Sequence, residues 1–297
     1  MGAFAVNGGL SKALFDFANA LLGRFRGGMA MAGILACAAF GAISGSTVAT
    51  TATIAQVAYP EMRRIAYSGR LATAALATGG TMGVLLPPSV TLMVYAILTE
   101  QNITKTFLAA YVPAFLAAAG YIAAIAIYVR LRPQHAPAAR AASGKEIAHA
   151  AAGVWPIALI FVAVFGGIYG GIFTPTEGAA IGATLTFVFA LIKRQLTVRT
   201  AIESIRTTAV TSGMIFMIFI IITNIAVIII INASLALSQL PAQLAEVVGH
   251  LQISPLVVMA AIMIFYVILG CVMDEMSMIL LTVPVLFPVI MGLDFYG

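Results

Sequence analysis

G-A-I-S-G-S-T-V-A-T, residues 41–50, is a polar, glycine-broken stretch set between two apolar runs, 28–43 and 48–60. Each run falls short of the ~20 residues that a helix needs to cross a bilayer. Backbone groups released from a helix cost several kcal/mol each in hydrocarbon unless protein, water or a ligand satisfies them. A break at membrane depth is therefore how a membrane protein offers backbone and hydroxyl oxygens to an ion or solute. Arg24 and Arg26 precede the two runs, and Arg63, Arg64 and Arg70 follow them. Positive charge marks cytoplasmic ends. The stretch is thus predicted to be the tip of a re-entrant hairpin over 26–62, entering from the cytoplasm and turning near the midplane.

Composition agrees with this frame. Of the 297 residues, 62% are hydrophobic and 8% charged, and the mean hydropathy is +1.08, which leaves too little polar surface for a soluble domain. The protein reads as a polytopic all-α membrane protein. Its net charge of +5 resides in loops and reports orientation, not nucleic-acid binding. Cys37 and Cys271 lie in separate apolar runs and read as small buried hydrophobes. No basic cluster precedes a short apolar core at the amino terminus, so no signal peptide is read. The chain stops at G-L-D-F-Y-G directly after an apolar run, and we read it as a fragment lacking both ends.

Three further breaks follow the first, at 78–89, 166–177 and 270–278. Residues 10–25 place Leu10, Leu14, Phe17 and Leu21 at helical spacing, which suits a helix lying in the interface. A broken helix is expected over 71–98 and an uninterrupted one over 107–129, closing a first repeat at 1–129. A cytoplasmic linker at 130–152 carries Arg130, Arg132, Arg140 and Lys145. An incomplete second repeat, 153–297, would hold scaffold helices over 153–232, an interfacial segment at 235–250 and a hairpin at 254–290, interrupted at Asp274–Glu275, Pro284 and Pro288. The hairpins share a glycine, a polar break and a closing proline, and charge counting puts them on opposite faces. That is the layout of an inverted repeat.

Ser44, Ser46 and Thr47 supply hydroxyls, and the glycines beside them expose carbonyls. Such neutral oxygens suit a dehydrated Na⁺ without trapping it. Pro87 and Pro88 lack amide donors, so the carbonyls one turn earlier, at Gly83 and Val84, lose their helical partners and become cation ligands in waiting. Ser89 and Thr91 sit where a new helix begins, a position that favours a carboxylate. Asp274 and Glu275 are acids inside an apolar run; Asp274, nearer the Gly270 break, is read as facing a cavity and Glu275 as facing the outer water. Glu177 follows T-P-T and reads as a helix cap.

The motifs S-G-S-T-V-A-T, P-E-M-R-R, G-G-T-M-G-V-L-L-P-P-S-V and G-G-I-Y-G-G-I-F-T-P-T-E together strongly resemble the large membrane subunit of tripartite ATP-independent periplasmic (TRAP) transporters, of the dicarboxylate or sialic-acid type. The resemblance covers essentially the whole chain. It implies an elevator-type, Na⁺-driven importer of organic acids in the bacterial inner membrane. A periplasmic binding protein would deliver the substrate, and a small four-helix membrane subunit would support the scaffold. It also assigns a sodium site to Ser44, Thr47, Gly83, Leu86 and Pro88, and substrate-side polar groups to Ser46, Thr91 and Asp274. In that family further helices precede and follow the stretch seen here.

Two other readings compete. A non-tripartite Na⁺/dicarboxylate symporter shares the hairpin plan but leaves F-T-P-T-E unexplained. An intramembrane hydrolase would use Ser44 or Ser46 as nucleophile, yet His135, His149 and His250 all lie in predicted loops or interfaces, and no second Asp in an apolar run pairs with Asp274. No catalytic residue is assigned.

Overall fold

The computed structural model describes residues 2–137, 142–193, 196–222 and 255–291. Among them it is all helix and turn. The chain divides into two compact units, residues 1–93 with 103–207, and residues 94–102 with 208–297. These units are not the two repeats of the sequence reading, because the helices after the linker pack against the amino-terminal ones.

The first unit opens with α1 (Gly2–Asn7), which the sequence reading did not anticipate, and α2 (Leu10–Leu22). The buried face of α2 is Leu10, Ser11, Leu14, Phe15 and Ala18, rotated from the expected Leu10, Leu14, Phe17 and Leu21; Leu21 is exposed. The apolar hairpin follows as α3 (Gly28–Ser44) and α4 (Thr47–Arg64), packed side by side. α3 is apolar all round, and such a helix must be enclosed on every side. Ala30, Ala32, Ile34, Cys37 and Phe40 are accordingly buried, against α2, α5 (Gly69–Gly80), α6 (Met82–Leu85) and α8 (Ile103–Leu131).

The hairpin's foot is tied down. Arg63 Nη1 donates to the Tyr67 carbonyl at 2.9 Å, and the Met29 amide donates to the buried Tyr67 hydroxyl at 3.3 Å. The Ser68 amide reaches the His135 carbonyl at 2.9 Å, while His135 Nδ1 lies 2.7 Å from the Tyr128 hydroxyl. These bonds join the foot to the end of α8.

The expected broken helix is α5 and α6 followed, after residues 86–89, by α7 (Val90–Leu98), with a bend of 44°. α8, α9 (Gly144–Tyr169) and α10 (Pro175–Ile192) are long and apolar enough to span a membrane. α9 starts at Gly144, not at 153, because Ser143 and Glu146 form a reciprocal capping box that lets the helix run out through the linker. Thr174 and Glu177 cap α10 in the same way, with Pro175 at its first position, so Glu177 is a cap as its sequence context indicated. Val112, Phe115 and Leu116 on α8 are 66–69% exposed, as a lipid-facing helix requires.

In the second unit, α11 (Val198–Ile222) enters from the first, and α12 (Pro255–Gly270) and α13 (Glu275–Met291) form a second hairpin. The Tyr266 hydroxyl lies 2.7 Å from Thr282 Oγ1 and ties its limbs together. Pro284 and Pro288, expected as interruptions, lie inside α13, as Pro60 lies inside α4. A proline removes one helical bond without ending a helix that neighbours hold in place. Cys271 is exposed, with its thiol donating to the Val267 carbonyl at 3.3 Å, and so is not the buried hydrophobe expected. The interfacial segment expected at 235–250 and the end of the crossing at 207–232 lie outside the described residues.

Candidate functional site

The tip of the first hairpin and the break between α6 and α7 meet without side chains between them. A Cβ on Gly41 would lie 2.5 Å from the Gly83 Cα, and one on Gly83 would lie 2.8 Å from both the Ser46 carbonyl oxygen and Thr50 Oγ1. A Cβ on Gly80 would overlap Thr51 Oγ1. The backbones can approach this closely only because each position is glycine.

The turn itself is two residues long. Gly45 takes φ +63°, a left-handed conformation natural to glycine, and its amide donates to the Gly41 carbonyl at 2.7 Å. Ser46 is extended and caps α4, with its Oγ accepting from the Ala49 amide at 3.4 Å.

Oxygen atoms gather around this turn. Ser44 Oγ lies 2.6 Å from Thr50 Oγ1, donates toward the Gly41 carbonyl at 3.4 Å and the Ser46 carbonyl at 3.5 Å, and faces the Ser46 amide at 3.5 Å. Thr47 opens α4, and its carbonyl accepts from Thr51 Oγ1 at 2.8 Å. The Pro88 carbonyl oxygen is 3.2 Å from where a Cβ on Gly45 would stand. Ser44, Ser46, Thr47, Gly83 and Pro88, named from sequence, thus come to one place. Leu86 is extended between α6 and α7, with its side chain packed against the cluster of Ala38, Met82 and Ala114.

Thr50 was missed. It is fully buried and partners Ser44 directly. The available signal was its position three residues after Thr47, on the same helical face.

Every side chain in the set is neutral. The end of α3 presents carbonyls to it, the Pro88 carbonyl approaches from the break after α6, and the start of α4 presents amides; these are partial charges of opposite sign. Neutral oxygens with a carbonyl majority fit a monovalent hard cation better than a divalent one, which draws on carboxylates. Beside this set, Ser89 is buried and its Oγ accepts from the Leu92 amide at 3.4 Å; Thr91, two residues further on, is also buried. Both therefore stand at the amide-rich start of α7, as the sequence indicated.

Asp274 belongs to the second unit. Its Oδ2 accepts from the Met276 amide at 3.1 Å and its carbonyl from the Met278 amide at 2.9 Å, so it starts α13 as a cap. Asp274, read from sequence as facing a cavity, is exposed, and Glu275 is half-buried. A capping carboxylate at a turn is held at the helix end, whereas the next residue lies against the helix.

Among the described residues nothing in the geometry supports the hydrolase reading: Ser44 meets a hydroxyl and Ser46 a backbone amide, and His135 is engaged with Tyr128 at the hairpin's foot.

Comparison with known proteins bears on the rest. The family model for the DctM component of the tripartite ATP-independent periplasmic transporter matches residues 1–296. The C4-dicarboxylate TRAP transporter large permease protein of Pseudomonas aeruginosa is 35% identical over 294 residues, 98% of this chain and 67% of that protein. The protein of the same description from Rhodobacter capsulatus is 32% identical over 311 residues, covering 99% of this chain and 69% of its own length. The 2,3-diketo-L-gulonate TRAP transporter large permease protein of Escherichia coli is 30% identical over 290 residues, 95% of this chain and 65% of its own. The chain thus spans about two thirds of the length of these relatives. They are transporter permeases, not enzymes. The chain belongs to the large permease, or DctM component, family of tripartite ATP-independent periplasmic transporters.

Proposed function

We propose that this chain is the core of the membrane subunit of a Na⁺-coupled importer of an organic acid, a C4-dicarboxylate, sialic acid or related carboxylate. It would work in the bacterial inner membrane with a small four-helix membrane subunit and a periplasmic binding protein that delivers the substrate. The observation that carries the ion assignment is the side-chain-free contact of Gly41 and Gly83, which brings hydroxyls of the hairpin and carbonyls of the broken helix to one point. Na⁺ is held by Ser44, Thr47 and the carbonyls of Gly83, Leu86 and Pro88. Binding then joins two elements that are otherwise separate in sequence.

The substrate carboxylate lies next to it, at Ser46 and at the helix start marked by Ser89 and Thr91. Cation and anion stabilise each other at this short range, which couples the two fluxes. Asp274, an anion, does not touch the carboxylate; it orients the second hairpin's hydroxyls and amides or holds a cation. The two hairpins, as inverted repeats, would carry the site across the membrane by an elevator movement.

Reconstitution of the complete subunit with both partners tests the reading. Uptake of labelled organic acid should require an inward Na⁺ gradient. Equal uptake with K⁺ replacing Na⁺ would defeat the proposal.

A further inference from the structure

Between α3, α5 and α8, away from the hairpin tip, lies a cavity of about 430 Å³. Its floor is Ile34, Leu71, Ala75 and Ile125, all buried, and the exposed Ala74 and Ala124 keep its walls low. Arg70 and Tyr128 stand at one end of it, and Thr78 and Tyr121 line the other. The helical rise puts Arg70 and Thr78 about 12 Å apart along α5. Thr81 Oγ1 lies 3.3 Å from the Tyr121 hydroxyl, which fixes the register of the far end.

The Arg70 end is the cytoplasmic end by the charge pattern, in company with Arg63, Arg64, Arg130 and Arg132. The groove therefore starts at the membrane surface with a cation and continues apolar to hydrocarbon depth. An acyl chain fills such a groove, and a guanidinium at its mouth meets phosphate through paired N–H donors. Arg70 forms no ion pair with a carboxylate among the described residues.

We infer that this groove holds one acyl chain of an anionic phospholipid, with the lipid phosphate on Arg70. The site joins α8 to the first hairpin and α5 through lipid. It rests on the same membrane placement as the transport reading, but not on the sodium site, and its test is read without Na⁺ or substrate.

The complete subunit with its small partner, purified from membranes and washed in mild detergent, is examined by native mass spectrometry with phosphatidylglycerol and phosphatidylethanolamine added in turn. The wild type should retain one phosphatidylglycerol per copy and prefer it at least fivefold. Arg70→Gln should lose that preference. Ala74→Phe and Ala124→Phe, which fill the groove from opposite walls, should each remove the retained lipid; Ala124 is exposed, so at least its variant folds. A photocrosslinker at position 124 should capture lipid. Capture of a polypeptide segment instead, retention of no lipid by the wild type, or an undiminished headgroup preference in Arg70→Gln would overturn the inference.

Discussion

At the scale of single residues the hairpin tip is held by what is absent. Adding one methyl at Gly41 drives it into the Gly83 backbone, and backbone cannot rotate away as a side chain can. Gly41→Ala and Gly83→Ala should therefore raise the Na⁺ half-saturation of uptake by tenfold or more, whereas Gly120→Ala, with no atom within 4 Å of the new Cβ, should leave it unchanged. Uptake measured against Na⁺ concentration in proteoliposomes checks all three. Ser44→Ala and Thr47→Ala each remove an oxygen, and should raise the half-saturation value by smaller factors. Thr50→Val keeps the shape and leaves Ser44 without its 2.6 Å partner, a loss of about 1 kcal/mol for a hydrogen bond of this kind, or roughly fivefold in ion affinity. An unchanged curve for Ser44→Ala, Thr47→Ala and Thr50→Val together would remove the site from the hairpin. The sequence named Ser44 and Thr47 because glycines surround them. It passed over Thr50 because a threonine inside a helical run looks like any other until the partner helix is known.

Among the elements, those with strong hydropathy contrast were legible: α3, α8, α9 and α10 fall close to where the apolar runs lie. The face of α2 was not. A helix beside lipid carries apolar residues toward core and bilayer alike, so Phe15 and Leu21 are indistinguishable by periodicity, although one is buried and the other exposed. The prolines at 284 and 288 misled because each removes a single helical bond and the helix continues through both. The hairpin's entry side is open to direct measurement. Cysteines placed at Arg26 and Arg63 should label from the cytoplasmic face, and one at Ile172, in the turn between α9 and α10, from the periplasmic face. Opposite labelling of Arg26 and Arg63 would mean that the limbs cross the membrane. The cap of α10 gives a second check: Thr174→Ala should lower stability by about 1 kcal/mol, seen as a reduced melting midpoint, with Na⁺ dependence intact.

For the whole molecule, the question is whether the two compact units act on one transport event. The oxygen cluster lies in the first and Asp274 in the second, so energetic coupling between them is a property of the transport cycle, not of any contact within one unit. Asp274→Asn is suited to the question because asparagine caps a helix as well as aspartate does, so the bond to the Met276 amide survives while the charge is lost. If Asp274 serves only as a cap, the variant should transport like wild type and Asp274→Ala alone should weaken the protein by about 1 kcal/mol. If the charge helps to organise the site across the repeats, Asp274→Asn should sharply reduce Na⁺-driven uptake while assembly with the small subunit is preserved. The double variant with Thr47→Ala then decides how the units are linked. Independent sites give effects on the Na⁺ half-saturation that multiply, whereas groups acting on one bound state give a double variant little worse than the poorer single one. We expect the second outcome, with the coupling amounting to at least a tenfold departure from multiplication. Strict multiplication, measured at matched protein levels, would confine the ion site to the first hairpin and leave Asp274 as the cap of α13.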